Sequence, residues 1–198
     1  MSKILYLGTD PSRYPRKVYH CPLIETKPLP LPADVELNWD QLTHILLTSP
    51  NAALILSSYK SLNGKKIIAI GHGTAQIVNA FAIAQPETQE GMIELLKTID
   101  VSHAFILYPR SSKARPLLAT YLLHAKIRHI TCDLYETIYL KPNPLPDLSQ
   151  FDEIIFTSPS TVHSFILNYH SIPPNKILTA IGPITERVLM ELGKKELV

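Results

Sequence analysis

The residues of this chain that could bind a ligand are small polar residues and glycines that follow short aliphatic runs. They are Thr48, Ser49, Gly71, His72, Gly73, Thr74, Ser111, Thr157, Ser158 and Gly182. In an open parallel sheet, ligands lie beyond the carboxyl ends of the strands. The first backbone N–H groups of the helix after each strand lack an acceptor within the helix and can bind an anion. The sequence therefore predicts an anionic ligand held by rims of N–H donors.

Two of the serines have a competing local role. Ser49 and Ser158 are each followed by proline. Serine before the first helical turn and proline inside it are typical of a helix start, so capping is the expected main role of both hydroxyls. Thr48 and Thr157, one residue earlier, are then the better candidates for hydroxyl contact with a ligand.

Three other side chains could act on such a ligand. Arg110 follows a strand end, where its guanidinium could pair with a carboxylate, and an ordinary surface charge is the alternative. Tyr135 lies in an extended segment, where its phenol could donate a proton or pack as part of a wall. His72, between two strand-end glycines, is a candidate for ligand contact.

Sequence motifs for common cofactors and metals are absent. The chain has no GxxxxGK[ST] phosphate loop and no GxSxG motif, and its eight histidines form no HxxxH, HExxH or Cys/His cluster. The segment from Gly71 to Gln76 has the position of a dinucleotide-binding turn, but Gln76 replaces the third glycine. We therefore expect no metal and no cofactor.

Composition excludes several classes of protein. The 19 Lys and Arg residues nearly balance the 17 Asp and Glu residues, and a net charge of +2 does not favour nucleic acid as a partner. The first apolar run is too short for a signal peptide, and no segment approaches the roughly 20 apolar residues of a membrane span. Two cysteines do not make a disulfide framework. These features predict a cytoplasmic protein with no membrane partner.

Aliphatic runs alternate with helical patterns along the chain. Helical patterns are predicted over 74–84 and 113–123. Strands are predicted over 4–7, 44–49, 66–71, 103–109 and 153–158. Continuous apolar strands between helices indicate parallel sheets covered on both faces, so the fold class is α/β.

The second half of the sequence repeats the first in order. The segment 44–51 returns as 153–160, and 66–74 returns more loosely as 176–185 at nearly the same offset. This repetition predicts two similar lobes. The simplest assembly places residues 1–20 with 142–198 in one lobe, and inserts the other, 31–131, between them.

Two extended segments would connect these lobes. They are 21–30 and 132–141, and we expect them to pair as a two-stranded hinge that brings Cys21 and Cys132 into one region. In the second segment, regular alternation would place Leu134 and Tyr135 on opposite faces. No long apolar stripe remains unassigned, so a monomer is expected.

With these segments in hand, the chain resembles the uroporphyrinogen-III synthase family of haem biosynthesis, which cyclises hydroxymethylbilane. The resemblance rests on Phe156-Thr157-Ser158-Pro159-Ser160, Ala180-Ile181-Gly182-Pro183-Ile184-Thr185, Ile70-Gly71-His72-Gly73-Thr74 and Tyr135-Glu136-Thr137. It implies two flavodoxin-like parallel-sheet lobes joined by a two-stranded β-ladder, an active site in the cleft between them, a linear tetrapyrrole polycarboxylate as substrate, and no cofactor.

The resemblance also implies roles for residues. Tyr135 takes the place of the family's cleft tyrosine, which assists loss of the substrate hydroxyl in a hydro-lyase reaction. The other matched positions are Thr157, Ser158 and Ser160 of a serine loop, Gly182 and Thr185 of a glycine-threonine turn, and Gly71 and Thr74 of its counterpart. The family's threonine-arginine pair after the first strand is poorly matched, and Arg13 is the candidate substitute. The alternative function is a non-catalytic two-lobed receptor for a polyanionic small molecule.

Overall fold

A computed structural model describes residues 3–12 and 14–195 of the chain. The strands in chain order are β1 (Ile4–Tyr6), β2 (Tyr19–His20), β3 (Ile24–Pro28), β4 (His44–Leu47), β5 (Lys66–Ile70), β6 (Ala82–Ala84), β7 (Ile106–Ser111), β8 (His129–Tyr139), β9 (Glu153–Phe156) and β10 (Ile177–Ala180). The helices are α1 (Ala33–Asn38), α2 (Pro50–Tyr59), α3 (Gly71–Ala75), α4 (Gln89–Thr98), α5 (Leu117–His124), α6 (Pro159–Tyr169) and α7 (Pro183–Lys195). Short 3-10 turns lie at Trp39–Gln41 and Leu148–Gln150.

The chain divides into two compact units. The first is formed by the described parts of Met1–Thr26 and Thr137–Val198, and the second by Lys27–Glu136. The first unit contains the segments 1–20 and 142–198 of the sequence-predicted lobe, and the second contains 31–131. Both divisions fall inside strands, because Thr26 lies in β3 and Glu136 lies in β8.

The first unit is built on a four-stranded parallel sheet. Its strand order is β10-β9-β1-β2. Strand β2 therefore lies on one side of β1, and β9 and β10 lie on the other. All residues of these two central strands are buried, and Glu153, the one charged residue among them, pairs with Arg16 at 2.7 Å. Leu5 and Phe156 pack in one hydrophobic cluster with Phe165 of α6, while Ile4 lies in a smaller cluster on the opposite face.

The second unit is built on a six-stranded sheet with the order β3-β8-β7-β4-β5-β6. The five strands from β8 to β6 are parallel to their neighbours. Alternate residues of β4 supply the two faces, since Ile45 and Leu47 join one core cluster and Leu46 joins the other. The sheet is therefore covered on both faces, as the sequence predicted.

Strands β3 and β8 are neighbours, so the two predicted crossing segments do pair. Leu29 N donates to Leu134 O at 2.8 Å, and Leu140 N donates to Leu23 O at 2.9 Å. The residue numbers run in opposite directions, which makes this pairing antiparallel.

The two cysteines do not share a region. Cys21 belongs to a core cluster of the first unit, Cys132 belongs to one of the second, and both are buried free thiols. The expected common location was wrong because each thiol packs as a small apolar group into the core of its own unit.

The predicted helix over 74–84 was wrong. Helix α3 ends at Ala75, and Ala82–Ala84 forms strand β6, which pairs with β5. Phe81 N donates to Ile67 O at 2.7 Å at the start of this pairing. The edge of β5 offers ladder hydrogen bonds that outweigh the helix propensity of the alanines. Helix α5 starts at Leu117, later than predicted, because Pro116 disfavours a helical conformation for the residue before it.

Candidate active site

The order of the six-stranded sheet reverses between β4 and β7. Strands β5 and β6, which come next along the chain, lie on one side of β4, while β7 and β8 lie on the other. Such a switch point leaves a crevice at the carboxyl ends of the two strands, where ligands bind. Thr48 and Ser49 directly follow β4, and Ser111 is the last residue of β7. The structure therefore brings these three sequence-predicted residues to one place.

Tyr135 joins the site through two serine hydroxyls. Its Oη lies 2.9 Å from Ser49 Oγ. The Ser111 hydroxyl also hydrogen-bonds this phenol. Tyr135 is only 6% exposed, so the two serines supply the polar environment that a buried phenol needs.

Each serine hydroxyl has a second, fixed partner. Ser49 Oγ accepts from Ala52 N at 3.0 Å and so caps α2, as predicted. Ser111 Oγ accepts from Lys113 N at 3.2 Å. Because both oxygens accept a backbone N–H, the hydrogen of each hydroxyl can be directed at the phenol.

The pKa of Tyr135 lies above the ordinary value of 10.0 for a tyrosine. Burial disfavours the charged phenolate and is the largest cause, while the hydrogen bonds from Ser49 and Ser111 oppose it. Before any proton transfer, Tyr135 is therefore a phenol at neutral pH and can donate a proton.

A β-bulge aims Tyr135 at the site. Arg110 pairs with Asp133, but the next residue, Ser111, pairs with Tyr135, so Leu134 is the extra residue of β8. The expected alternation was wrong at this point, because Leu134 and Tyr135 both pack in the same core cluster. Bulges near ligand sites redirect a side chain in this way.

Thr48 lies next to Ser49 but interacts on the opposite face of the sheet. Its hydroxyl interacts with the phenol of Tyr108, a fully buried residue of β7 in the second core cluster. Gln89 Nε2 donates to the same phenol at 3.2 Å. Sequence reasoning missed Tyr108 and Gln89, although a tyrosine inside a buried strand must find a polar partner for its hydroxyl.

The turn from Gly71 to Thr74 is occupied by a side chain of the protein itself. Gly71 has φ of +67°, and a Cβ there would lie 2.2 Å from the carboxyl carbon of Glu87. His72 N donates to Glu87 Oε1 at 3.1 Å. His72 and Gly73 are exposed, but Thr74 is only 2% exposed. A carboxylate of the protein thus takes the position at which a ligand anion was expected.

Arg110 is also engaged within the protein. Its Nε lies 3.0 Å from Asp133 Oδ1, and its side chain is 22% exposed. Asp133 thus supplies the carboxylate that this guanidinium was expected to take from a ligand.

The first unit has a second polar edge, at the switch point between β1 and β9. Thr157 and Ser158 follow β9. Ser158 caps α6 in a capping box with Thr161, which confirms the capping predicted for this serine. Gly8 follows β1, and a Cβ on it would lie 2.5 Å from Thr157 Cγ2. His20 Nε2 lies 2.8 Å from Gly8 O. His20 was not predicted as part of this edge.

The remaining predicted residues of this edge differ in exposure. Ser160 lies in the first turn of α6 and is half-buried, and Gly182 is exposed with φ of +89°. Thr185 is only 3% exposed, so it offers little surface to a ligand. Arg13 lies outside the described residues. Within residues 3–12 and 14–195, no three His, Cys, Asp or Glu side chains are grouped so as to hold a metal ion.

The sequence comparison decides the family. Residues 12–198 match the family described as uroporphyrinogen-III synthase HemD. The chain belongs to this family. The enzymes of the uroporphyrinogen-III synthase family act in tetrapyrrole biosynthesis, as the resemblance implied. Among the helices described in 14–195, none has the length and apolar character needed to span a membrane.

Individual relatives agree with the family assignment. A Methanocaldococcus jannaschii protein, provisionally named a uroporphyrinogen-III synthase, is 25% identical over 192 residues, which cover 83% of this chain and 76% of that protein. The crystal structure of the Helicobacter pylori uroporphyrinogen-III synthetase has a TM-score of 0.62 and 22% identity, covering 98% of this chain and 90% of that one. A Thermus thermophilus uroporphyrinogen III synthase variant has a TM-score of 0.59 and 15% identity, with the same coverage of both chains. The two structures show that the fold is shared.

Proposed function

We propose that this chain is a lyase that closes hydroxymethylbilane into uroporphyrinogen III, with inversion of the last pyrrole ring and loss of water. The observation that carries the proposal is the Tyr135 phenol, which Ser49 and Ser111 hold at the switch point of the six-stranded sheet. A protonated phenol at a ligand-binding edge suits a reaction in which a hydroxyl group must leave as water. Membership of the family supports the substrate class.

The chemistry of the substrate defines the task. Hydroxymethylbilane is a flexible chain of four pyrroles with two carboxylates on every ring. Its terminal hydroxyl leaves readily, because the pyrrole nitrogen stabilises the azafulvenium cation that remains. In water the chain closes without inverting the last ring. The enzyme must favour attack from the substituted carbon of that ring, through a spiro intermediate that fragments and recloses, so its main contribution is conformational control.

Tyr135 supplies a proton in this proposal. The two serine hydroxyls that contact it can donate their hydrogens to its oxygen, which leaves the phenolic hydrogen for the substrate hydroxyl. The same two hydrogen bonds stabilise the phenolate that forms. Because the pKa of Tyr135 is raised by burial, the phenolate is a strong enough base to recover a proton later in the cycle.

The protons and electrons of the cycle balance. The C–O bond of the hydroxymethyl group breaks with its electron pair, and the oxygen leaves as water with the proton of Tyr135. The substituted carbon of the last ring then uses its π electrons to attack the azafulvenium cation, which forms the spiro intermediate. The original C–C bond from that carbon to its bridge breaks and leaves a second azafulvenium cation, and the unsubstituted carbon of the last ring attacks this cation to form the final C–C bond. A proton is lost from carbon when the last ring regains aromaticity, and this proton restores the phenol. One water is released, and no oxidant or reductant is consumed.

The substrate carboxylates are assigned to the polar edge of each unit. Thr48 precedes α2 and Thr157 precedes α6, so a hydroxyl and the first N–H groups of a helix of at least 10 residues lie together at each edge. Ser160, in the first turn of α6, belongs to the second set. Each such N–H end contributes roughly 0.3–1 kcal/mol toward a carboxylate at an exposed site. These groups can share the binding of a polyanion in a chain whose net charge is only +2.

The isomer of the product tests the proposal. Hydroxymethylbilane is generated in situ, the product is oxidised, and type III and type I porphyrins are separated. The chain should give an excess of type III. Tyr135→Phe should slow this reaction by roughly 100-fold without abolishing it, since one general acid contributes about 10²–10⁴-fold. Tyr59→Phe, which removes the hydroxyl of an exposed tyrosine on α2, is the matched control and should behave as wild type.

Three results would contradict the proposal in whole or in part. If the wild-type chain gave type I product alone, the proposed activity would be wrong. If it bound hydroxymethylbilane without any excess of type III product, the polyanion receptor would be favoured instead. Equal rates for Tyr135→Phe and wild type would remove the role of Tyr135 while leaving the activity in place.

A further inference from the structure

His20 lies at the polar edge of the first unit. It is the last residue of β2, which runs parallel to β1 and places His20 beside Tyr6. Gly8 follows β1 at the same edge and lies close to Thr157, which follows β9. His20 is therefore a neighbour of the switch point between β1 and β9, where a parallel sheet binds its ligands.

The His20 ring has a defined orientation although the residue is exposed. Its Nε2 lies 2.8 Å from Gly8 O. The ring also packs edge-on against Tyr6, with the ring centroids 5.9 Å apart. Tyr6 is itself held in place, because its Oη donates to Asp10 O at 2.9 Å.

The contact with Gly8 determines which nitrogen of the His20 ring carries a hydrogen. A carbonyl oxygen only accepts, so Nε2 must be the donor. A neutral imidazole with its hydrogen on Nε2 has a lone pair on Nδ1. Within residues 3–12 and 14–195, Nδ1 makes no hydrogen bond of its own. The edge thus has a hydrogen-bond acceptor in a fixed position.

This acceptor complements the donors of the same edge. The first N–H groups of α6 and the hydroxyl of Thr157 are proposed to bind carboxylates. The Asp10 carboxylate, which could accept, already binds Ser12 N at 2.8 Å and Ser12 Oγ at 2.9 Å. Every ring of hydroxymethylbilane has a pyrrole N–H besides its carboxylates, and an N–H that loses water without gaining an acceptor costs free energy. A site for this substrate therefore needs an acceptor as well as donors.

We propose that His20 is a substrate-binding residue of the first unit and that its Nδ1 accepts a hydrogen bond from a pyrrole N–H. This inference rests on the proposed function, from which it takes the pyrrole. Gly8 O is the positioning group, since it holds Nε2 and so fixes the lone pair of Nδ1 before the ligand binds. Less rotational freedom is then lost on binding. Such a contact selects pyrroles over other polycarboxylates.

Two substitutions of His20 separate its two nitrogens. His20→Gln can keep the donor to Gly8 O but has no acceptor at the position of Nδ1. It should leave the urea midpoint unchanged and raise the KM for hydroxymethylbilane by roughly 3- to 10-fold, the effect of losing one hydrogen bond. His20→Asn keeps an acceptor near Nδ1 but leaves Gly8 O without its partner. It should raise the KM less and lower the urea midpoint. His163→Gln, at an exposed histidine of α6, is the control and should behave as wild type.

A matched pair of ligands tests the pyrrole N–H. One is a dipyrromethane with the carboxylates of two substrate rings, and the other is its N-methylated form, which keeps the carboxylates and has no N–H. Calorimetry gives each Kd at pH 8, which favours neutral imidazole. His20→Gln should weaken binding of the first by roughly 3- to 10-fold and leave binding of the second unchanged. Equal weakening of both would overturn the proposal, because His20 would then contact carboxylates.

Nitrogen NMR of the chain with labelled histidine observes the ring directly. The His20 signals, identified by their loss in His20→Gln, should show hydrogen on Nε2 and none on Nδ1. The Nδ1 signal should shift toward its protonated position when the dipyrromethane is added. Hydrogen on Nδ1 of the neutral ring, or an Nδ1 signal that does not respond, would overturn the proposal. If the chain gave no type III product but Nδ1 responded to the N–H ligand alone, the binding role would stand and the proposed reaction would fall.

Discussion

At the scale of single residues, the chemistry of the site depends on how the phenol of Tyr135 is held. Burial raises its pKa, and two serine hydroxyls limit that rise. A general acid must be protonated to act, so activity that depends on Tyr135 is present below its pKa and lost as the pH rises through it. The balance between burial and hydrogen bonding therefore sets the alkaline limit of the reaction.

This balance predicts a pH profile. In the wild-type chain, we expect no alkaline fall of kcat from Tyr135 below pH 10, because its pKa is raised from 10.0. Ser49→Ala removes one hydrogen bond that favours the phenolate and should move the fall to still higher pH. A profile with a descending limb near pH 8 that disappears in Tyr135→Phe would contradict the assignment. The measured quantity is the initial rate of type III product formation between pH 7 and about 10.5.

Gly8 shows a second constraint on a single residue. A Cβ at this position would lie 2.5 Å from Thr157 Cγ2 and 2.6 Å from Thr157 Oγ1. Threonine branches at Cβ and cannot swing away easily, so Gly8→Ala should destabilise the chain by about 1–3 kcal/mol in urea unfolding. Thr157→Ala should restore part of that stability but not ligand affinity. Gly73→Ala, which meets nothing within 4 Å, is the control and should be nearly neutral.

Some residues of the site could be predicted from the sequence, and others could not. The sequence predicted Thr48, Ser49 and Ser111 at the carboxyl ends of strands, and the structure has Thr48 and Ser49 directly after β4 and Ser111 at the end of β7. The role of Tyr135 came from the resemblance, because a bulge that reorients one side chain leaves no periodic signal. Gln89 was missed because its role depends on β7 and α5, which are distant in sequence.

At the scale of elements, the turn before α4 determines where Gln89 lies. Thr88 caps the helix by accepting from Gly91 N at 3.2 Å, and Thr88 N donates to Pro86 O at 2.7 Å. The backbone thus folds back tightly onto the first turn of α4. This packing leaves no room for a side chain at Gly91, since a Cβ there would lie 2.0 Å from Pro86 O.

Gly91→Ala should therefore be strongly destabilising. Its clash is with backbone, which cannot rotate away, so we expect a loss of about 3 kcal/mol or more in urea unfolding. Gly193→Ala in α7 is the matched control, because a Cβ there meets nothing within 4 Å. That helical substitution should stabilise the chain by about 0.5–1 kcal/mol. A neutral Gly91→Ala would show that the turn is not packed as described.

The strands and helices were predictable in proportion to their length and burial. The fully buried β4 and β9 are mostly apolar and were located within two residues at their ends. In contrast, Ala82–Ala84 was read as helix, because short runs of alanine carry little pattern and only the open edge of β5 makes them a strand. Tyr19–His20, a two-residue strand with both residues exposed, offers no pattern at all.

At the scale of the whole molecule, the sequence repeat has a structural counterpart in each unit. Ser49 and Ser158, which occupy matching positions in the repeat, cap helices that directly follow a central parallel strand. Both sheets reverse their order beside that strand, between β4 and β7 in one unit and between β1 and β9 in the other. The closer match of the repeat, 44–51 with 153–160, covers two fully buried strands, β4 and β9, whereas the looser match involves β10, which is only partly buried. The sheets differ at their edges, with four strands and six, where sequence constraint is weakest.

The inserted unit is expected to fold on its own. Residues 27–136 form a continuous segment with a core cluster on each face of the sheet, and Ile45 on one face and Leu46 on the other are both fully buried. A polypeptide of residues 27–136 should unfold in urea in one cooperative transition followed by circular dichroism. Leu46→Ala should lower its stability by about 2–5 kcal/mol, as expected for a large cavity in a packed core. Leu37→Ala, at a leucine 82% exposed, is the control and should change stability little. A broad transition with strong binding of a hydrophobic dye would instead mean that the segment needs the rest of the chain to pack its cores.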